Sequence, residues 1–269
     1  MIPPTSIDGT DITGATIDGT DVQQITVDGD VVFSAGPSNL PVAYSNLVAW
    51  YPFDSAEYGG SNADDVTAIL GASGDDTAYD GTVSGANYQS SGGVTDINAG
   101  ANSGAFNFDG SNDFIDLGLP IDFNSDFTIC AWCKPNTTGG IGEKIFGAGG
   151  APNDLVILDI SQGGFRFVFI ANGDLSGKTI SSGSVNTNTY QHVAGTLSGT
   201  SMTLYVDGSV LRTDTAFTTT LNLDQVDIGR LILGTNDQDY FDGNIEDARI
   251  YNTALSGSQI NQIYQNTQP

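Results

Sequence analysis

The residues of this 269-residue chain with chemistry in reach are its carboxylates, one histidine and a Cys-x-x-Cys pair. A retaining glycoside hydrolase needs two carboxyl groups about 5 Å apart, which a strand delivers as alternate acids. No Glu-x-Asp-x-Glu segment occurs. Asp113 and Asp116 stand an odd offset apart and Glu246 and Asp247 are adjacent, so neither pair shares a strand face. A Ser-His-Asp arrangement has to run through His192, which sits within a strand pattern and reads as packing. Cys130 and Cys133 in FTICAWCKP lack the further ligands a zinc site takes, and on a strand they point to opposite faces, which argues against a disulfide. The expectation is a protein that is not an enzyme.

Hard oxygen ligands suit calcium better, and the acids placed for it are Asp80, Asp109 and Glu246. In DGNIEDARIYN, strand alternation puts Glu246 with Ala248 and Ile250, opposite Ile245, Asp247, Arg249 and Tyr251. If that face is the core, the Glu246 charge requires a metal, an arginine or an N–H partner. Asp80 and Asp109 each precede a glycine, so turn formation is the competing role for both. Asp247 with Arg249 reads as an exposed structural pair. Tyr58, Tyr79, Tyr88 and Tyr240 lie in or beside loops, where single tyrosines are often ordinary packing, and sequence does not locate a ligand surface.

The elements that position these residues are strands joined by tight turns. Glycine is abundant at 35 and charged residues make up only 14%, which suits short strands better than helices. Asp207-Gly208 marks a hairpin between LYV and SVL. After the strand that ends at Asn252, Ser256 and Gln259 have capping-box spacing for a helix whose Ile260, Ile263 and Tyr264 share one side.

Several of these segments occur together in a known order. NLVAWYPFD, DGTVSGANY, GAFNFDGSNDFIDLG, FTICAWCKP, YQHVAGTLSGTSMTLYVDG and GNIEDARIYNTALSGSQINQIY resemble successive strands of laminin G-like, concanavalin A-like jelly-roll domains, with cysteines at 130 and 133 and Tyr190-Gln191 in place of Trp-His as departures. The resemblance implies an all-β, two-sheet antiparallel jelly-roll sandwich with a short C-terminal helix. It also implies a possible structural calcium ion near the sheet rim, and a fold shared by lectin-like modules, spacers and some hydrolases, among which fold does not choose.

Thirty-two acidic residues face seven basic ones, a formal charge of -25 and a pI near 4.1. Nucleic acid is an unsuitable partner for such a surface. At molar salt the Debye length is about 3 Å and self-repulsion is screened, so the composition points to a halophilic source. MIPPTSIDGT carries no basic region or apolar run and no 18-residue apolar stretch follows, so neither a secretory signal nor membrane insertion is expected.

Residues 1–36 hold a ten-residue repeat, SIDGTDIT, TIDGTDVQ and TVDGDVVF, each pairing a short β pattern with an Asp-Gly turn. Pieces this small need a partner surface. The arm resembles N-terminal segments on structural proteins of haloarchaeal tailed viruses. Residues 37–45 read as a linker and 46–267 as the jelly-roll domain. The expectation is a homo-oligomeric virion surface protein, a turret, spike or tail fibre, partnered by other virion proteins and adhering to host glycans. A purely structural decoration protein, or the accessory module of a carbohydrate-active enzyme, are the alternatives.

Overall fold

The computed structural model describes strand residues within 1–40 and residues 46–269, apart from 54–61, 64–79, 92, 95–103, 119–120, 139, 141, 151–152, 172–177, 216–219 and 234–235. The chain divides into two compact units, Met1–Leu40 and Pro41–Pro269. In the first, the repeat forms three two-stranded antiparallel pairs: β1 (Ser6–Ile7) with β2 (Thr10–Asp11), β3 (Thr16–Ile17) with β4 (Thr20–Asp21), and β5 (Gln24–Val27) with β6 (Asp30–Ser34).

The described residues of the second unit form two eight-stranded antiparallel sheets, a sandwich with one short C-terminal helix. The first sheet runs β10 (Asn87–Gln89), β11 (Ala105–Asp109), β24 (Asp242–Tyr251), β13 (Phe127–Pro135), β18 (Gln191–Ser198), β19 (Ser201–Val206), β20 (Ser209–Thr215), with β7 (Leu47–Tyr51) also paired to β24. The second runs β17 (Lys178–Ser182), β16 (Gly164–Ile170), β15 (Asp154–Ser161), β14 (Glu143–Gly150), β21 (Gln225–Ile228), β12 (Phe114–Asp116), β9 (Gly81–Ser84), β8 (Asn62–Ala63). The main core lies between them. Phe127, Ile129, Ala131 and Cys133 of β13 enter it from one sheet, Phe165, Phe167 and Phe169 of β16 from the other, each set at the two-residue period of a strand.

The far face of the second sheet is partly covered. Strand β22 (Leu231–Leu233), paired with β23 (Asn236–Gln238), lies against β14 where Gly147 and Gly149 have no side chain; a Cβ at either would collide with the carbonyls of Arg230 and Ile232. Leu231 there joins Leu155, Ile157 and Val168 in a second apolar cluster. Helix α1 (Gly257–Asn266) begins with the expected Ser256–Gln259 capping box and buries Ile260 and Ile263. Its Tyr264 ring stacks on Trp132 at 5.5 Å, and Trp132 Nε1 donates to Thr267 Oγ1.

The strand parity read for Glu246 is corrected by a bulge. β13 and β24 lose register between Cys130 and Trp132, where β24 carries an extra residue and Asp247 adopts φ 49°. Ile245 therefore joins Ala248 and Ile250 in the core. The exposed Asp247–Arg249 pair is also corrected: both side chains are buried, 2% and 1% exposed, with Arg249 Nε 2.9 Å from Asp247 Oδ1. Trp50 explains the burial, because its Nε1 donates to the same oxygen and its ring lies 4.6 Å from the guanidinium carbon.

Candidate functional site

The three acids singled out for calcium occupy separate places. Glu246 is fully buried opposite Trp132 and accepts the backbone N–H of Val94 at 2.5 Å, the N–H partner its burial demands. Asp109 is exposed and serves its turn, with Oδ1 accepting Ser111 N–H at 2.8 Å ahead of Gly110 at φ 76°. It pairs with Asp242, four residues before Glu246, about 13 Å along an extended strand. Asp80 precedes β9 in the other sheet. Among the described residues, no group of three or more His, Cys, Asp or Glu side chains could hold a metal ion.

His192 is buried against Trp132 and Tyr264, at 5.4 and 6.4 Å between rings. Burial, and secondarily the Arg249 charge, push its pKa down to about 3, so the imidazole is neutral. Cys130 and Cys133 are free and buried, and burial lifts the Cys130 thiol to about 12, which leaves no nucleophilic thiolate.

A different constellation forms on the far face of the second sheet. Lys144 of β14 stands opposite Asp159 of β15, Asp159 opposite Arg166 of β16, and Arg166 opposite Ser181 of β17. One cross-strand row thus alternates in charge. Asp159 is fully buried and takes Arg166 in a fork, Oδ1 accepting Nε at 2.8 Å and Oδ2 accepting NH2 at 2.5 Å. Lys144 Nζ lies 3.2 Å from Asp159 Oδ2 and 3.0 Å from Asp239 Oδ2. Asp159 hydrogen bonds raise the Arg166 pKa further above its ordinary range. Gly142, at φ 137°, passes over this network: a Cβ there would sit 2.8 Å from Lys144 Nζ and 2.9 Å from Arg166 NH2.

Arg166, 27% exposed at its side chain, opens into a cavity of about 370 Å³. The described residues lining it are Arg166 with Ser161, Gln162, Gly164, Thr179, Ser181 and Gly183. Gln162 and Gly163 make the two-residue turn between β15 and β16, at φ 53° and 81°. Two backbone bonds pin that turn, Gly163 N–H to the Thr138 carbonyl at 2.9 Å and Val185 N–H to the Gly163 carbonyl at 3.0 Å. The result is a guanidinium, three hydroxyls and an amide around one cavity, with no carboxylate among the described lining residues. Such a set can hydrogen-bond a polyhydroxylated or anionic ligand; it holds no carboxylate pair for glycosidic hydrolysis.

Sequence reading missed this site. A signal was present: Asp159 and Arg166 each interrupt an apolar run, LVILDI and FRFVFI, and a two-residue turn at 162–163 fixes 159 opposite 166 by arithmetic.

A model of the concanavalin A-like lectin/glucanases superfamily matches residues 109–261, more than half of the sequence. The chain belongs to this superfamily. Solved structures similar to this member include a Trypanosoma rangeli sialidase mutant displaying trans-sialidase activity, with TM-score 0.60 and 17% identity over 83% of this chain and 33% of the other. A second is a botulinum neurotoxin type C structure whose cell entry is described as dependent upon interaction with two ganglioside molecules, at 0.57 and 18% over 82% and 51%. A third, the HCR/D W1238A mutant, aligns at 0.55 and 17% over 82% and 51%. The superfamily member thus spans about a third of the sialidase and half of the other two, and at these identities the likeness is one of fold. No curated protein matches it.

Proposed function

We propose that this is a non-catalytic, lectin-like adhesion protein that binds host-surface glycans in the Arg166 cavity. The observation that carries the reading is the cavity itself: hydroxyl and amide groups around a guanidinium held by Asp159, with no acid–base pair among its described lining residues. It is supported by the superfamily and by a solved neighbour of the same fold in complex with sialic acid.

The wider setting in this proposal is the virion surface of a haloarchaeal tailed virus, with the Met1–Leu40 unit as the anchor and the protein working as a homo-oligomer. Its support is the charge of -25 and the three short strand pairs, whose edges have no further strand partner among the described residues and so invite pairing with further copies or other virion proteins. A structural calcium ion stays part of the proposal without an assigned ligand set, and its test is chelation with EGTA, which is expected to lower the Tm while leaving glycan binding by the folded protein unchanged.

A glycan array probed with the intact protein in molar salt tests the central part. Saturable binding to a defined subset, abolished by Ser181→Trp, supports the reading. Absence of binding to every glycan favours a purely structural decoration protein, and turnover of any polysaccharide overturns the non-catalytic assignment.

A further inference from the structure

Resting on that reading, we propose that the cavity selects acidic saccharides, with the carboxylate of a hexuronate or other sugar acid, or the sulfate of a sulfated sugar, held by the outer edge of Arg166.

The argument starts from how Asp159 uses the guanidinium. A guanidinium offers two forked edges, one at Nε and NH2 and one at NH1 and NH2. Asp159 takes the first, and it is the one partner of this guanidinium among the described residues. Among the described residues no hydrogen bond occupies the second edge, which can meet a planar anion in the same bidentate way, and Arg166 lines the cavity.

Three features make an anion the fitting occupant. The cavity has no acid among its described lining residues in a chain with 32 of them, so its one charged lining residue is a cation. The network behind the cavity is balanced, Lys144 and Arg166 against Asp159 and Asp239, and of these four only Arg166 lines the cavity. The guanidinium is also preorganised: its fork is fixed from behind by a fully buried carboxylate, so little freedom is lost when a ligand engages the outer edge. Ser161, Thr179 and Ser181 then remain for ring hydroxyls.

The long-range field of the protein opposes this preference at low ionic strength and leaves it intact where the Debye length is about 3 Å, since a contact ion pair is shorter-ranged than the repulsion. Selectivity for acids is therefore a molar-salt property of this site.

The test compares a hexuronate trisaccharide, its 6-sulfated hexose analogue and the neutral hexose trisaccharide, titrated into the intact protein in 2 M KCl and followed by NMR or calorimetry. The expected result is an affinity about tenfold or more higher for at least one acidic ligand than for the neutral one, the size of a charge-assisted fork. The two acidic arms separate carboxylate from sulfate. Arg166→Gln is expected to abolish the preference, and Arg166→Lys to restore only part of it, because an ammonium keeps the charge without the fork. Circular dichroism checks that both variants remain folded. Equal affinity for all three ligands, or a preference that survives Arg166→Gln, overturns the inference while the lectin reading stands. Failure of every ligand here and of every glycan on the array removes both.

Discussion

His192 is the only histidine in the chain and it is fully enclosed. Its folded pKa of about 3 lies below the ordinary 6.5, so the unfolded chain binds a proton that the folded chain refuses between those values. Stability from this group is complete above pH 6.5 and falls by about 1.4 kcal/mol per pH unit as pH drops toward 3. The imidazole NMR signal is expected to stay flat from pH 8 down to acid unfolding; titration near 6.5 would mean that the ring reaches water. Asp227 has the opposite sign. Burial lifts its carboxyl to about 6, opposed by Arg230 at 3.2 Å, so this group favours the folded state at low pH and that contribution is lost as pH rises from about 4 to 6. Asp227→Asn is expected to flatten that part of the pH–stability curve. Asp247 accepts from both Trp50 and Arg249 at a positive φ, a conformation Asn tolerates and Ala does not. Asp247→Ala is expected to cost about 3 kcal/mol or more in denaturant unfolding, and Asp247→Asn distinctly less.

Among the elements, those written in local chemistry were legible in advance. The Asp207-Gly208 turn takes φ 48° and 71°, which the residue pair alone demands, and the Ser256 capping box starts α1 where its hydroxyl and Gln259 require. Ser256→Ala is expected to destabilise the protein by about 1 kcal/mol, or about 2–4 °C in Tm. Truncation after Leu255 removes Tyr264 and Thr267 from Trp132, and in a Trp50→Phe background the remaining indole emission is expected to shift to the red. The bulge in β24 was not legible, because alternation reads residues one strand at a time and an extra residue is defined only against the partner strand. That one residue moved Ile245 into the core and turned an expected surface pair into a buried one. The Lys144–Asp159–Arg166 row was hidden for the same reason: each charge is ambiguous until neighbouring strands are aligned.

At the scale of the molecule, the seven basic residues are mostly spent in ion pairs. Among the described residues Lys144, Arg166, Arg230 and Arg249 each face an aspartate, so few of the seven are left to relieve the excess of acids, 32 in the chain. Screening must supply the rest, so the Tm is expected to rise steadily from 0.1 M to molar KCl, and a flat profile would contradict this account. The superfamily fold was readable from its ordered strand motifs, whereas the Arg166 cavity was not, because it arises from three strands and a turn rather than from a motif. The measurement that bears most directly on the central claim is a crystal structure of the intact protein, at molar salt, with the best ligand from the array. Ligand density against Arg166, Thr179 and Ser181 beside the Gln162-Gly163 turn is the predicted result. Density elsewhere, for example on the outer face of the other sheet, with the Arg166 cavity empty, would contradict it.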